Sequence, residues 1–248
     1  MNTKVVVITG ASSGIGAALG ELLAKQGMSA VLVARRKEAL EAVAATCDGR
    51  ALVLPGDMSV RTDVRRVVDA TLERFGRIDV WVNNAGQGIS RLPSQLTDED
   101  VDLMIRSNVK SALYGMQEVL PHFKERGSGQ LINVSSMLGR LPAVPFRSAY
   151  CGAKHFLNAL TAMFRAEVAQ SHPNIHISLV SPGVVYTDFG LNAVHGGPDS
   201  RSFPEGQTAE QVAAVIAGVI ESPQPDVYTF KGAHDRVAGY YAGIGVDA

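Results

Sequence analysis

Tyr150 and Lys154 stand four residues apart in "SAYCGAKHF". On a helix that spacing puts a phenol and an ammonium on one face. A free phenol ionises only near pH ~10, and a cation close by favours the phenolate. Such a pair could pass a proton to or from an oxygen atom. It could equally be an idle stripe on a solvated helix, so the rest of the chain decides its meaning.

A second chemical signal is "TGASSGIG", with Gly10, Gly14 and Gly16 at the end of an apolar run and the start of a helical pattern. Glycines allow a tight turn and leave backbone N–H groups bare, and a helix N-terminus adds a positive dipole end. Between a first strand and a first helix this is a phosphate-binding turn, with Ser12, Ser13 and Ile15 lying between the glycines. In dinucleotide-binding folds an acidic residue some 20 positions further on holds the ribose hydroxyls. Here Arg35 and Arg36 stand in that region. A guanidinium pairs with a 2′-phosphate, so the sequence points to NADP(H) over NAD(H).

The elements that must position these groups alternate along the chain. "KVVVITG", "SAVLVAR", "RALVLPGD", "IDVWVNNAG", "QLINVSS" and "IHISLVSPG" read as buried strands, with "DVYTF" a short seventh. Helical periods separate them. Thr97–Asp100 and Thr208–Gln211 have capping-box spacing, and the helix carrying Tyr150 runs to just before Pro173. Val-, Ile- and Leu-rich strands, each followed by a helix, predict a Rossmann-like doubly wound α/β sheet of about seven mainly parallel strands with helices on both faces. We read residues 1–248 as one domain, within which the Gly-, Pro- and Ser-rich segment 186–207 is a mobile substrate loop or lid.

Composition narrows the function further. The 248 residues carry a formal net charge of −1, and 46% are hydrophobic. A large core is available, and there is no basic stripe for nucleic acid or polybasic patch for a membrane surface. No apolar run is long enough to span a bilayer, and "MNTKVVVITG" lacks a signal-peptide layout. Two cysteines, Cys47 and Cys151, are too few for a disulfide framework, which fits a reducing, cytoplasmic setting. Six histidines lack metal-ligand spacing, so no metal site is expected. Among them His195 reads as an exposed loop residue.

"TGASSGIG", "NNAG", "NVSS", "AYCGAK" and "SPG", in that order, resemble the short-chain dehydrogenase/reductase family in its compact single-domain branch. The resemblance covers roughly the first three quarters of the chain. It implies that Tyr150 is the proton donor in carbonyl reduction, that Lys154 tunes it and holds the nicotinamide ribose, and that Ser136 orients the substrate oxygen. Ser135 competes for that last role, because the serine-to-tyrosine spacing is one residue longer than the family's usual one. Asn108 resembles the asparagine whose helix distortion supports a proton relay. For the cofactor, the resemblance implies adenine contacts from Asp57 and Met58, an adenosine wall from Asn84, Ala85 and Gly86, and nicotinamide-side contacts from Pro182, Gly183, Val185 and Thr187.

The expected activity is NADP(H)-dependent interconversion of a carbonyl and an alcohol, acting on a small molecule. The alternative is a non-catalytic dinucleotide-sensing protein on the same fold. The resemblance also implies a homo-oligomer, dimer or tetramer, with the long helices near residues 98–126 and 150–171 as the expected shared faces.

Overall fold

The computed structural model describes residues 3–245. Its centre is a seven-stranded sheet: β1 Val5–Thr9, β2 Ser29–Ala34, β3 Ala51–Pro55, β4 Val80–Asn83, β5 Gly129–Val134, β6 Ile175–Ser181 and β7 Asp226–Tyr228. The spatial order is β3-β2-β1-β4-β5-β6-β7, and every pairing is parallel. Each crossover needs a helix, which explains the alternation of strand-like and helical periods in the sequence.

Helices α1 (Gly14–Lys25), α2 (Lys37–Ala45) and α7 (Ala209–Glu221) contribute side chains to the core on one face of the sheet. Helices α3 (Arg61–Phe75), α5 (Ser111–Arg126) and α6 (Ser148–Ser171) fill the other. All five residues of β1 are buried, which is why its sequence is a continuous apolar run rather than an alternating one. A third, smaller cluster of Ile89, Met104, Val109, Tyr150 and Ala153 lies beyond the sheet, where α4 (Asp98–Ile105) meets α6. A last helix, α8 (Ala233–Ala242), was not foreseen from the sequence; its first half, "AHDRV", has little apolar periodicity. No helix among the described residues is long and apolar enough to cross a membrane.

The register of α6 is set by buried polar bonds. Trp81 Nε1 donates to Asn83 Oδ1 (2.7 Å), Asn83 Nδ2 to Asn133 Oδ1 (2.8 Å), and Asn133 Nδ2 to Thr161 Oγ1 (2.9 Å). One turn nearer the helix start, Ser135 Oγ donates to Asn158 Oδ1 (2.5 Å), and Asn158 Nδ2 donates to the Gly139 carbonyl (2.6 Å). An unmet buried polar group costs about 1–3 kcal/mol, so sliding or rotating α6 would break several bonds at once. Thr161 and Asn158 lie on the same helical face as Lys154 and Tyr150. The network therefore fixes where those two side chains point.

Candidate active site

The glycine turn sits at the carboxyl end of β1. Gly10 has φ +68°, and a Cβ there would lie 2.9 Å from Ala85 Cα. At Gly16 a Cβ would lie 2.5 Å from the Gly10 carbonyl oxygen. Only glycine allows this close approach. Ser13, at the start of α1, makes no side-chain cap bond, and the first turn of α1 holds no acidic residue. Its N–H groups and dipole end are thus uncommitted, as an anionic phosphate requires. The residues present fit a dinucleotide.

Around this turn the structure gathers most of the predicted cofactor residues. Arg36 reaches back across it, Nη2 donating to Ser12 Oγ at 3.1 Å, whereas Arg35 is exposed and makes no side-chain bond among the described residues. Asp57 Oδ1 accepts the Ser59 N–H (2.9 Å) and hydroxyl (2.7 Å), and Met58 is buried beside it. Thr187 comes from the far side, its Cγ2 3.2 Å from where a Gly14 Cβ would stand. The Pro182 carbonyl accepts the Met137 N–H (2.7 Å), Gly183 lies against Phe230, and Val185 bridges to Gln207.

Asn84 is anchored within the wall by its own hydrogen bonds. Its Nδ2 donates to the Thr9 carbonyl (2.9 Å), while Thr9 Oγ1 accepts the N–H groups of Asn84 and Ala85, each at 3.0 Å. The side chain of Asn84 stitches β4 to β1 and holds the wall in place. Thr9 was missed by sequence reading, because a threonine closing a strand carries no signal of its own.

The second half of the site is built on α6. Tyr150 and Lys154 are both buried, with Lys154 Nζ 5.7 Å from the Tyr150 ring centroid. Lys154 Nζ donates to the Val134 carbonyl at 2.9 Å. Burial pushes the Tyr150 phenol up to about 12 and brings the Lys154 ammonium down to about 8. Desolvation of the phenol outweighs every opposing influence, and those that lower its pKa come from Ser136 and Arg147. Ser136 Oγ accepts the Leu138 N–H (3.1 Å) and is adjacent to Tyr150 without forming an ideal hydrogen bond to it. Ser135 is turned away into its bond with Asn158.

Asn108 lies in a π-helical turn, Arg106–Lys110, that interrupts the long helix between α4 and α5. Its Oδ1 accepts the Gln87 N–H (3.1 Å), and its Nδ2 donates to the carbonyls of Gln87 (3.0 Å) and Met104 (3.1 Å). A Cβ on Gly86 would stand 2.8 Å from Asn108 Oδ1 and 3.6 Å from Lys154 Nζ, so Asn108 and Lys154 flank that glycine. Phe189, from the segment after β6, packs on Tyr150 with ring centroids 5.5 Å apart.

Loop 186–207 rests on the site through two attachments. Ile89 and Val194 form a parallel bridge, with Ser90 N donating to the Val194 carbonyl (2.9 Å) and Val194 N to that of Gly88 (2.9 Å). His195 is exposed, as expected, yet its ring is engaged: Nε2 lies 2.8 Å from Asp100 Oδ1. Asp100 also accepts Arg91 Nη1 at 2.7 Å, and these partners hold its carboxyl down to about 2.

Residues 4–195, which span the glycine turn and the buried Tyr–Lys pair, match the family model described as short chain dehydrogenase. The chain belongs to the short-chain dehydrogenase/reductase family. It is an oxidoreductase of that family, whose fold binds a nicotinamide dinucleotide. An uncharacterised oxidoreductase of Staphylococcus epidermidis is 36% identical over 196 residues, 75% of this chain and 83% of the relative. Among solved structures, an alcohol dehydrogenase from Thermococcus sibiricus complexed with 5-hydroxy-NADP superposes with a TM-score of 0.80. It is 27% identical, over 91% of this chain and 95% of that one. A family member from Burkholderia phymatum in complex with NAD has a TM-score of 0.88 at 23% identity, over 100% of this chain and 98% of that one, and shares the fold.

Proposed function

We propose that this short-chain dehydrogenase/reductase is an NADPH-preferring reductase that converts a ketone or aldehyde to an alcohol. The observation that carries this reading is Tyr150 beside Ser136, with Lys154 one turn on, all at the edge of the glycine turn. The preference for NADPH is supported by Arg36, which spans the turn to Ser12 and brings a guanidinium to the region where a 2′-phosphate is expected. Gly10, Ser12, Ser13, Gly14, Ile15 and Gly16 would hold the pyrophosphate, and Asp57, Met58 and the wall stitched by Asn84 would flank the adenosine.

A bound nicotinamide dinucleotide supplies the hydride. Tyr150 gives its proton to the substrate oxygen, and Ser136 donates a hydrogen bond to the same oxygen as charge builds there. Burial raises the Tyr150 phenol, so it is protonated at neutral pH and has a proton to give. Lys154 and Asn108, flanking Gly86, support return of a proton to the phenol. Loop 186–207, with Phe189 over Tyr150, acts as the substrate lid. The substrate is a small molecule, and the protein works as a homo-oligomer in the cytoplasm.

The test is consumption of NADPH, with NADH in parallel, against a panel of aldehydes, ketones and diketones. Tyr150→Phe should abolish turnover while NADPH still binds with near wild-type affinity. Arg36→Ala should weaken NADPH by about tenfold and NADH far less, the loss of a charge-assisted bond. Turnover surviving in Tyr150→Phe removes the role given to it. NADPH binding by the wild type without turnover of any compound favours the sensing protein instead.

A further inference from the structure

Arg147 opens α6, three residues before Tyr150, and only 8% of it is exposed. The single hydrogen bond of its side chain among the described residues is Nη1 to the Ile89 carbonyl, at 3.1 Å. Among the described residues no carboxylate pairs with it. Asp100, the buried acid of this region, is committed to Arg91 and His195. A guanidinium offers five N–H donors, so most of its capacity is unmet. A buried charge without a counter-charge is costly, and burial already lowers the pKa of this guanidinium.

An independent observation falls at the same place. Ser90 Oγ is buried and has no hydrogen-bond partner among the described residues. A Cβ on Gly197 would stand 2.6 Å from the Gly190 carbonyl oxygen and 2.9 Å from each of Arg147 Nη2 and Ser90 Oγ, so both donors meet the backbone of the lid at one glycine. A Cβ on Gly88 would stand 2.7 Å from Arg147 Nη1 and 3.0 Å from the Phe189 ring. Phe189 in turn packs on Tyr150. The two unmet donors thus lie one aromatic ring away from the proton donor, between the segment after β4 and the lid.

We propose that Arg147 and Ser90 form an anion-recognition subsite of the substrate pocket, and that the preferred substrates are carbonyl compounds bearing a carboxylate. The proposal rests on the reductase reading and adds the substrate class. A carboxylate matches the planar fork of Arg147, neutralises its charge and accepts the Ser90 hydroxyl. Phe189, exposed Leu191 and the Phe146 ring beside Arg147 offer apolar surface to the chain between carboxylate and carbonyl.

The experiment compares oxo-acids having one to four carbons between the two groups with their methyl esters, using NADPH. At least one acid should exceed its ester in kcat/KM by about tenfold, as a hydrogen-bonded charge pair allows. Arg147→Met should erase that ratio, Arg147→Lys should retain part of it, and Ser90→Ala should reduce it severalfold. Esters matching or exceeding acids throughout would overturn the proposal, as would an equal loss on acid and ester in Arg147→Met. If Arg147→Met does not fold, Arg147→Lys and Ser90→Ala decide by the same ratio. If no carbonyl compound is reduced, the reductase reading fails. Thermal unfolding with hexanoate against hexanamide then decides the subsite: stabilisation by the acid alone, lost in the Arg147 variant, supports it, and no stabilisation ends it.

Discussion

Ser135 and Ser136 are adjacent in sequence and opposite in use. The Ser135 hydroxyl is spent on Asn158, and it is Ser136 that influences the Tyr150 phenol. Ser136→Ala should therefore lower kcat by roughly 10²–10³ with little change in melting temperature, the usual cost of removing a donor aimed at a developing oxyanion. Ser135→Ala leaves a buried Asn158 oxygen unmet and should cost about 1–3 kcal/mol of stability, with a smaller effect on kcat. Melting curves and steady-state rates on the two variants check this, and reversed outcomes would exchange the two roles. The sequence left this choice open because the two serines are neighbours just beyond β5 and the spacing to Tyr150 is one residue longer than the family's usual one. Arg147 was hidden for a related reason. A basic residue just before a helix looks solvated, and its burial depends on packing against Gly88 and Gly197, far away in the chain.

At the scale of elements, loop 186–207, the proposed lid, is held by a charge cluster as well as by backbone pairing. Asp100 is the third residue of α4 and completes its capping box with Thr97, as the spacing of the two had implied. The same carboxylate reaches His195, a non-glycine residue held at φ +63°. A left-handed conformation at such a residue is unfavourable by about 1–3 kcal/mol and persists where surrounding bonds maintain it. Asp100→Asn weakens the hold on both Arg91 and His195 while keeping an acceptor for the cap. We expect faster trypsin cleavage at exposed Arg201, within the lid, and a severalfold rise in KM. Timed digestion with fragment masses measures the first, and cleavage at the wild-type rate would show that backbone pairing alone holds the loop. Capping boxes and strands were legible because their signals are local. The Asp100–His195 pair joins residues 95 positions apart and leaves no trace in spacing.

At the scale of the whole molecule, α6 serves two surfaces. Its inner face carries Tyr150, Lys154, Asn158 and Thr161, all buried. Its outer face carries Phe156 and Met163, which are 54% and 65% exposed, and Gly152, where a Cβ would meet nothing within 4 Å. Phe156 and Met163 are two turns apart, so they form one apolar stripe, with Val101 on α4 also exposed. The alternation of apolar strands with helical periods made the sheet and its two covered faces readable. It left this stripe ambiguous, since an apolar residue on a long helix is equally consistent with core. Exposed apolar surface of this kind is a candidate for the face the expected homo-oligomer would share. The expected homo-oligomer would cover it and stiffen the helix that carries Tyr150. Phe156→Glu combined with Met163→Glu should shift sedimentation velocity toward a monomer and lower both the melting temperature and kcat, although neither residue faces the active site. The same sedimentation coefficient in variant and wild type would exclude this face as the shared one. A monomeric variant with unchanged kcat would show that association and catalysis are independent, despite the helix they share.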